Sequence, residues 1–138
     1  MASIKLRGRE IPLLYTTWEM KQVQEEIAPI GRFLPLLMGI SEEDGDRASL
    51  FATAEHLEAL GKTIRIMGNA ALEEAGQEPD LTDKWVMRAL RPANLTKAMN
   101  ACVEAINEGM ASEIPEEKPE GPVDVTLEAM QKKKELES

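Results

Sequence analysis

Few residues in this chain could do covalent chemistry. It holds a single histidine, His56, and a single cysteine, Cys102. Paired, they would make a nucleophile with its base. The pattern speaks against the pairing: Cys102 falls on an apolar helical stripe, where a small thiol acts as a core hydrophobe. His56 lies off the stripe of its own helix and is expected to point to water. One Cys and one His also fall short of the three or four ligands that a zinc site takes. Acidic pairs and runs recur at Glu25-Glu26, Glu42-Glu43-Asp44, Glu73-Glu74 and Glu116-Glu117. On helices they read as solvated faces, and the run before Arg47 reads as a helix start rather than a calcium loop, whose twelve-residue pattern is missing. Gly8, Gly31 and Gly39 stand alone, so no glycine-rich loop cradles a phosphate. The residues point to no catalytic group, no metal and no cofactor. The expectation is a non-enzymatic binding or structural role.

The segment Phe33-Leu34-Pro35-Leu36-Leu37-Met38 carries more information. Two readings stand side by side: core filler beneath a long helix, or an exposed apolar patch that takes a partner. On the second reading Phe33, Leu34, Leu36, Leu37 and Met38 are the candidate partner-binding residues. Eight methionines would let such a surface adapt to unlike apolar partners.

The elements that would position these residues follow from periodicity. Ile4 and Leu6, then Ile11 and Leu13, alternate with polar neighbours and read as a hairpin. A Gly8-Arg9 turn of type II′ would set Leu6 opposite Ile11, Ile4 opposite Leu13 and Arg7 opposite Glu10. Pro12 must then lie on an edge. Thr16 and Glu19 have capping-box spacing ahead of Trp18, Met20, Val23 and Ile27, with Pro29 ending that helix. Residues 30–40 are short, apolar on all sides and interrupted by proline. The acids of residues 41–46 suit the start of a helix, where its dipole favours negative charge. That helix, residues 47–75, carries Leu50, Ala54, Leu57, Leu60, Ile64, Met67 and Ala71 on a narrow stripe. Gly61 and Gly68 would bend it or admit another helix, and Gly76 would cap it. A short helix with Trp85, Val86, Ala89 and Leu90 follows. Pro92 opens the last helix, whose stripe is Leu95, Met99, Cys102, Val103, Ile106 and Met110. The fold class expected is mainly α: a helical domain over residues 1–110 with a small N-terminal β-hairpin, and a flexible acidic tail over residues 111–138. Within that tail Val125, Leu127 and Met130 could form a weak terminal helix.

Composition narrows the function classes. The chain has 138 residues, with 25 acidic against 16 basic side chains and a net charge of -9. Phosphate-backbone binding needs a basic face, so nucleic acid is not an expected partner. The most apolar stretch, residues 27–40, is too short to cross a bilayer and is broken by Pro29, Arg32 and Pro35, so no membrane partner is expected either. A lone cysteine and an N-terminus without an apolar signal core fit a soluble intracellular protein.

Residues 78–92, Glu-Pro-Asp-Leu-Thr-Asp-Lys-Trp-Val-Met-Arg-Ala-Leu-Arg-Pro, lead into a helix ending Ala105-Ile-Asn-Glu-Gly-Met110. Together with the opening Ile4-Lys-Leu-Arg-Gly-Arg-Glu10, the chain resembles the tail assembly chaperones of long-tailed, siphovirus-like bacteriophages and prophages. The resemblance spans most of residues 3–110 and a loose acidic tail. It implies a protein that binds and solubilises the tape measure protein, self-associates along it and recruits the tail tube protein. It further implies action in the cytoplasm of the bacterial host and absence from the mature virion. Such genes often end near a slippery site for a programmed frameshift that appends a second domain, and an A-rich run could encode Lys132-Lys133-Lys134. Lysines late in a helix would also complement its dipole. The family's motif carries no catalytic residue.

Two other classes remain in view. A small phage structural adaptor, such as a head-tail joining or minor tail component, would persist in the particle. An acidic DNA mimic would array its carboxylates on one rigid face.

Overall fold

Thr16 begins the helical part of the chain with the capping box that its sequence spells. Its Oγ1 accepts from the Trp18 N–H at 3.2 Å, while Glu19 Oε1 accepts from the Thr16 N–H at 2.9 Å. Neighbouring side chains thereby satisfy backbone donors that have no partner within the helix. The computed structural model describes residues 1–43 and 46–111. The expected acidic tail beyond residue 111, with its terminal helix and its lysine run, lies outside them. In chain order the elements are β1 (Ser3–Leu6), β2 (Arg9–Pro12), α1 (Thr17–Glu26), α2 (Ile30–Leu37), β3 (Ile40–Glu43), β4 (Asp46–Ser49), α3 (Ala54–Glu74), α4 (Asp83–Ala89) and α5 (Leu95–Met110). A 3-10 turn, Pro92–Asn94, leads into α5. The described chain is mainly α, with a small N-terminal hairpin.

That hairpin forms with a different turn from the one expected. Arg7 and Gly8 are its two central residues, both at positive φ, +53° and +76°. Two left-handed residues make a type I′ turn, which glycine suits in the second position and whose twist matches the strands. Leu6 therefore pairs with Arg9, Ile4 with Ile11 and Lys5 with Glu10, and Arg7 does not face Glu10. The register moves by two residues, and side chains alternate with a period of two. Ile4, Leu6, Ile11 and Leu13 consequently keep their inward face, and all four are buried.

The largest correction concerns residues 40–53. They do not start the long helix. Backbone pairing of Ile40 with Ser49 and Ser41 with Ala48 makes β3 and β4 an antiparallel hairpin. The helix begins only at Ala54, where Thr53 Oγ1 accepts from the His56 N–H at 3.3 Å. Thr53, not the acidic run, caps the helix, and Leu50, expected on its stripe, lies before it.

Helix α3 is the hub of the fold. Its buried residues include His56, Ala59, Leu60, Thr63, Ile64, Ile66, Met67, Ala70 and Leu72, far more than one stripe, because neighbours cover it on several sides. Gly61 and Gly68 do not split it. Each marks a close approach: a Cβ at Gly61 would stand 2.6 Å from Met87 Sδ, and one at Gly68 would stand 2.6 Å from Leu81 Cδ1 and 3.0 Å from Ile11 Cγ2. At the C-terminus the Gly76 N–H donates to the Glu73 carbonyl at 3.0 Å and the Gln77 N–H to that of Leu72 at 2.8 Å. These are the two bonds of a Schellman cap, so Gly76 closes the helix as expected.

Ion pairs tie the flanking helices to this hub. Arg65 bonds Glu26 of α1 and, at 2.7 Å, Asp83 Oδ1 of α4, while Lys62 reaches Asp83 Oδ2 at 3.0 Å. The bond from Arg65 holds the Glu26 carboxyl below its ordinary range. Burial pulls Asp83 the other way, yet its bonds from Arg65 and Lys62 prevail and lower it as well.

The core is aliphatic: Leu13, Leu60, Ile64, Met67, Val86 and Ile106 pack with Phe33 as its one fully buried phenyl ring. On α5, Leu95, Cys102 and Ile106 are buried as expected, Ala98 and Ala105 join them, and Met110 is exposed. Burial pushes the Cys102 thiol up to about 12, which keeps it protonated and unreactive. No described helix is long and apolar enough to cross a membrane.

Candidate protein-binding groove

The apolar stretch that drew notice in the sequence becomes α2 and its exit. Proline enters this helix at its sixth residue, Pro35. A proline so placed costs one helical bond without ending so short a helix. The chain leaves at Gly39, whose φ of +77° takes it into β3, and returns through β4 to Leu50. The Leu50 N–H donates to the Gly39 carbonyl at 2.6 Å and closes the base of the hairpin.

A buried imidazole fixes this corner. His56 is fully buried, not solvent-facing as its stripe position suggested, because α2 and the hairpin exit cover that side of α3. Its Nδ1 accepts from the Ala52 N–H at 2.8 Å, and its Nε2–H donates to the Leu37 carbonyl at 3.1 Å. The first bond assigns the tautomer, since an amide N–H leaves Nδ1 only the acceptor role. Burial holds the imidazole below the ordinary histidine value. Its bond to Ala52 also helps to hold that residue at a φ of +66°, a conformation non-glycine residues adopt at a cost of order 1 kcal/mol.

Between α2, the β3–β4 hairpin and the start of α3 lies a groove of about 180 Å³. Pro35, Leu36, Ile40 and Leu50 supply its apolar lining, and Gly31 and Ser41 contribute small surfaces. Arg32 and Glu55 line it as well, and their charged groups approach to 3.8 Å. Both side chains are largely exposed, so this pair is worth little energetically and can open. Met38 and Phe51, 43% and 45% exposed, lie on the segments that enter and leave the hairpin.

The five candidate residues therefore part company. Phe33 and Leu37 are fully buried in the main core, where the core-filler reading describes them. Leu34 is half-buried against the same core. Leu36 packs with Ala28 and Ala59 in a small separate cluster and turns an edge to the groove. Met38 alone is exposed. Ile40, Leu50 and Phe51 belong to the apolar surface; the sequence points to neither Ile40 nor Phe51, and Leu50, expected on the stripe of the long helix, lies before α3 and lines the groove. A signal for the hairpin itself is present: Asp44-Gly45 between two short runs is a hairpin dipeptide, and reading it would have folded Ile40 and Leu50 toward α2.

Among the described residues no three His, Cys, Asp or Glu side chains are grouped to hold a metal. Cys102 is a free thiol buried on α5, while both ring nitrogens of His56 are engaged by backbone groups. The arrangement can bury an apolar side chain between a helix and a hairpin, with one arginine and one carboxylate at its border. No family model, no curated protein and no solved structure matches this chain.

Proposed function

We propose that the chain is a non-enzymatic tail assembly chaperone of a long-tailed bacteriophage or prophage, and that it covers apolar helical segments of the tape measure protein. The observation that carries this reading is the groove between α2 and the β3–β4 hairpin, apolar in its lining and flanked by exposed Met38 and Phe51. Such a surface suits capture of an amphipathic helix by one or two apolar anchors. The thioether and the aromatic ring supply adaptable contact area for a partner that varies along its length. The net charge of -9 keeps a coating protein soluble when many copies gather on one chain. The resemblance of residues 3–110 to these chaperones supplies the identity of the partner.

On this reading the protein acts in the cytoplasm of the bacterial host, self-associates on the tape measure protein, reaches the tail tube protein through a frameshifted extension, and leaves before the virion is complete. Co-expression tests it. The tape measure protein should stay in the soluble fraction and co-purify with the full chain, and purified virions should lack the chain. A tape measure protein equally soluble without the chain, or abundant chain in virions, would overturn it; the second result would favour a structural adaptor.

A further inference from the structure

Charge is unevenly spread along this chain. Residues 1–13 and 84–103 hold seven of its 16 basic side chains and one of its 25 acidic ones, Glu10. The fold lays these two segments against each other. Arg7 and Arg9 of the first hairpin lie over the Trp85 ring of α4, their Cζ atoms 5.3 and 5.7 Å from its centroid. Arg88, one turn further along α4, is exposed on the same side as Trp85. Lys5, two residues before Arg7, and Lys97 of α5 line one groove of about 330 Å³, whose apolar part is Ile4, Leu6, Ala98 and Ala101. A chain of net charge -9 thus carries a basic face that runs from α5 over the hairpin to α4. None of these residues lines the groove beside α2.

We infer that this face binds an acidic segment of a partner protein, with carboxylates paired to Arg7 and Lys97 and an apolar side chain in the groove between β1 and α5. The contact with Trp85 engages the charge of Arg7 and leaves its N–H donors to hold a carboxylate in bidentate fashion. Arg9 is already bonded to Asp80, at 2.9 Å, and serves to seat the hairpin on α4. Arg7 itself has a φ of +53°, in a turn position that asparagine or glycine fills more easily. An arginine kept there against backbone strain points to a task for its side chain.

Two features favour an acidic peptide over nucleic acid. Glu10, paired with Lys5 across the hairpin, and Asp80, bonded to Arg9, interrupt the face. A regular row of phosphates would meet them, whereas a peptide can place neutral residues there. The rest of the chain is strongly acidic and repels a long polyanion, while a short segment answers to the local field.

Fluorescence anisotropy tests the inference, with the full chain titrated into a labelled synthetic peptide of glutamates and glycines around one central leucine. The peptide should bind, and added salt should weaken it severalfold. Arg7→Gly, which suits the turn, and Lys97→Gln, on the exposed side of α5, should each weaken binding at least about fivefold. Lys21→Gln, which removes the same charge from α1, should leave the affinity unchanged. Equal binding of a peptide with glutamine in place of glutamate, an affinity indifferent to Arg7→Gly and Lys97→Gln, or no binding to the unaltered chain would overturn the inference. So would tighter binding of oligothymidylate, which would assign the face to nucleic acid. Peptide binding that appears only on dilution would overturn it too, by assigning the face to a second copy.

Discussion

The imidazole of His56 donates from Nε2 to the carbonyl of Leu37, nineteen residues earlier in the chain, at 3.1 Å. Leu37 is the last residue of α2, and a carbonyl there has no partner within its own helix. With the Ala52 N–H bound at Nδ1, the ring joins a helix end, the exit of a hairpin and the first turn of α3. Burial disfavours the charged ring by more than the bond to the Leu37 carbonyl favours it, so the folded state resists the proton and the histidine value falls below its ordinary 6.5.

The sign of the resulting pH dependence is fixed by linkage. Below pH 6.5 the unfolded chain binds a proton at His56 that the folded chain refuses, so stability is full above that value and declines as pH falls beneath it. At pH 5.5 the loss should reach at most about 1.4 kcal/mol. Urea denaturation at pH 7.5 and 5.5 measures it, and a His56→Gln variant should lose the dependence in this window. An unchanged midpoint in the unaltered chain would show that the ring accepts its proton in the folded state.

Removing the ring altogether should cost more than its volume. His56→Ala leaves the Leu37 carbonyl and the Ala52 N–H without their partner and opens a cavity, for a loss of about 3 kcal/mol. Ala52→Gly should work in the opposite direction, stabilising by up to about 1 kcal/mol because glycine adopts positive φ without strain. Thermal melts of both variants check these opposed signs.

The groove and the core separate in mutagenesis. Leu37→Ser should destabilise the fold by about 4 kcal/mol, since its side chain is fully buried. Leu50→Ser changes a half-buried groove residue and should cost about 1 kcal/mol while weakening co-purification of the tape measure protein about tenfold. Equal binding by the Leu50 variant would move the partner site elsewhere.

Three glycines should rank by what an added methyl group meets. Gly109→Ala faces the Tyr15 carbonyl, a backbone atom that cannot step aside, and should be the most damaging. Gly68→Ala meets buried Leu81 and Ile11 and should cost about 1–2 kcal/mol despite better helix propensity. Gly61→Ala meets only the flexible end of Met87 and should lie within about 1 kcal/mol of the unaltered chain. Melting temperatures of the three variants give the order directly.

Where a sequence signal was strong and local, it was legible. Thr16 and Glu19 marked a helix start to the residue, and the alternation of Ile4, Leu6, Ile11 and Leu13 placed a hairpin with its buried face. The hairpin's register was not legible, because Arg7 adopts a left-handed conformation that its residue type does not favour. The second hairpin is hard to see in the sequence because acids before a helical repeat resemble a cap, while Thr53 is the better marker of the helix start. His56 defeated the stripe argument for a tertiary reason. A stripe predicts one buried face, and α3 is covered on more than one. The groove inherits both errors, since Ile40, Leu50 and the position of His56 depend on the second hairpin.

The tip of the first hairpin has one more consequence. Arg7 and Arg9 both lie over the ring of Trp85, at 5.3 and 5.7 Å, while Trp18 is 64% exposed. Lys21, from the same helix, lies over the Trp18 ring at 5.0 Å, whereas the cations over Trp85 come from the hairpin. If the hairpin lifts from α4, the emission of Trp85 shifts while that of Trp18 stays constant. The protein carries its own optical gauge of whether its N-terminal strands are seated, readable in a stopped-flow trace without any attached dye.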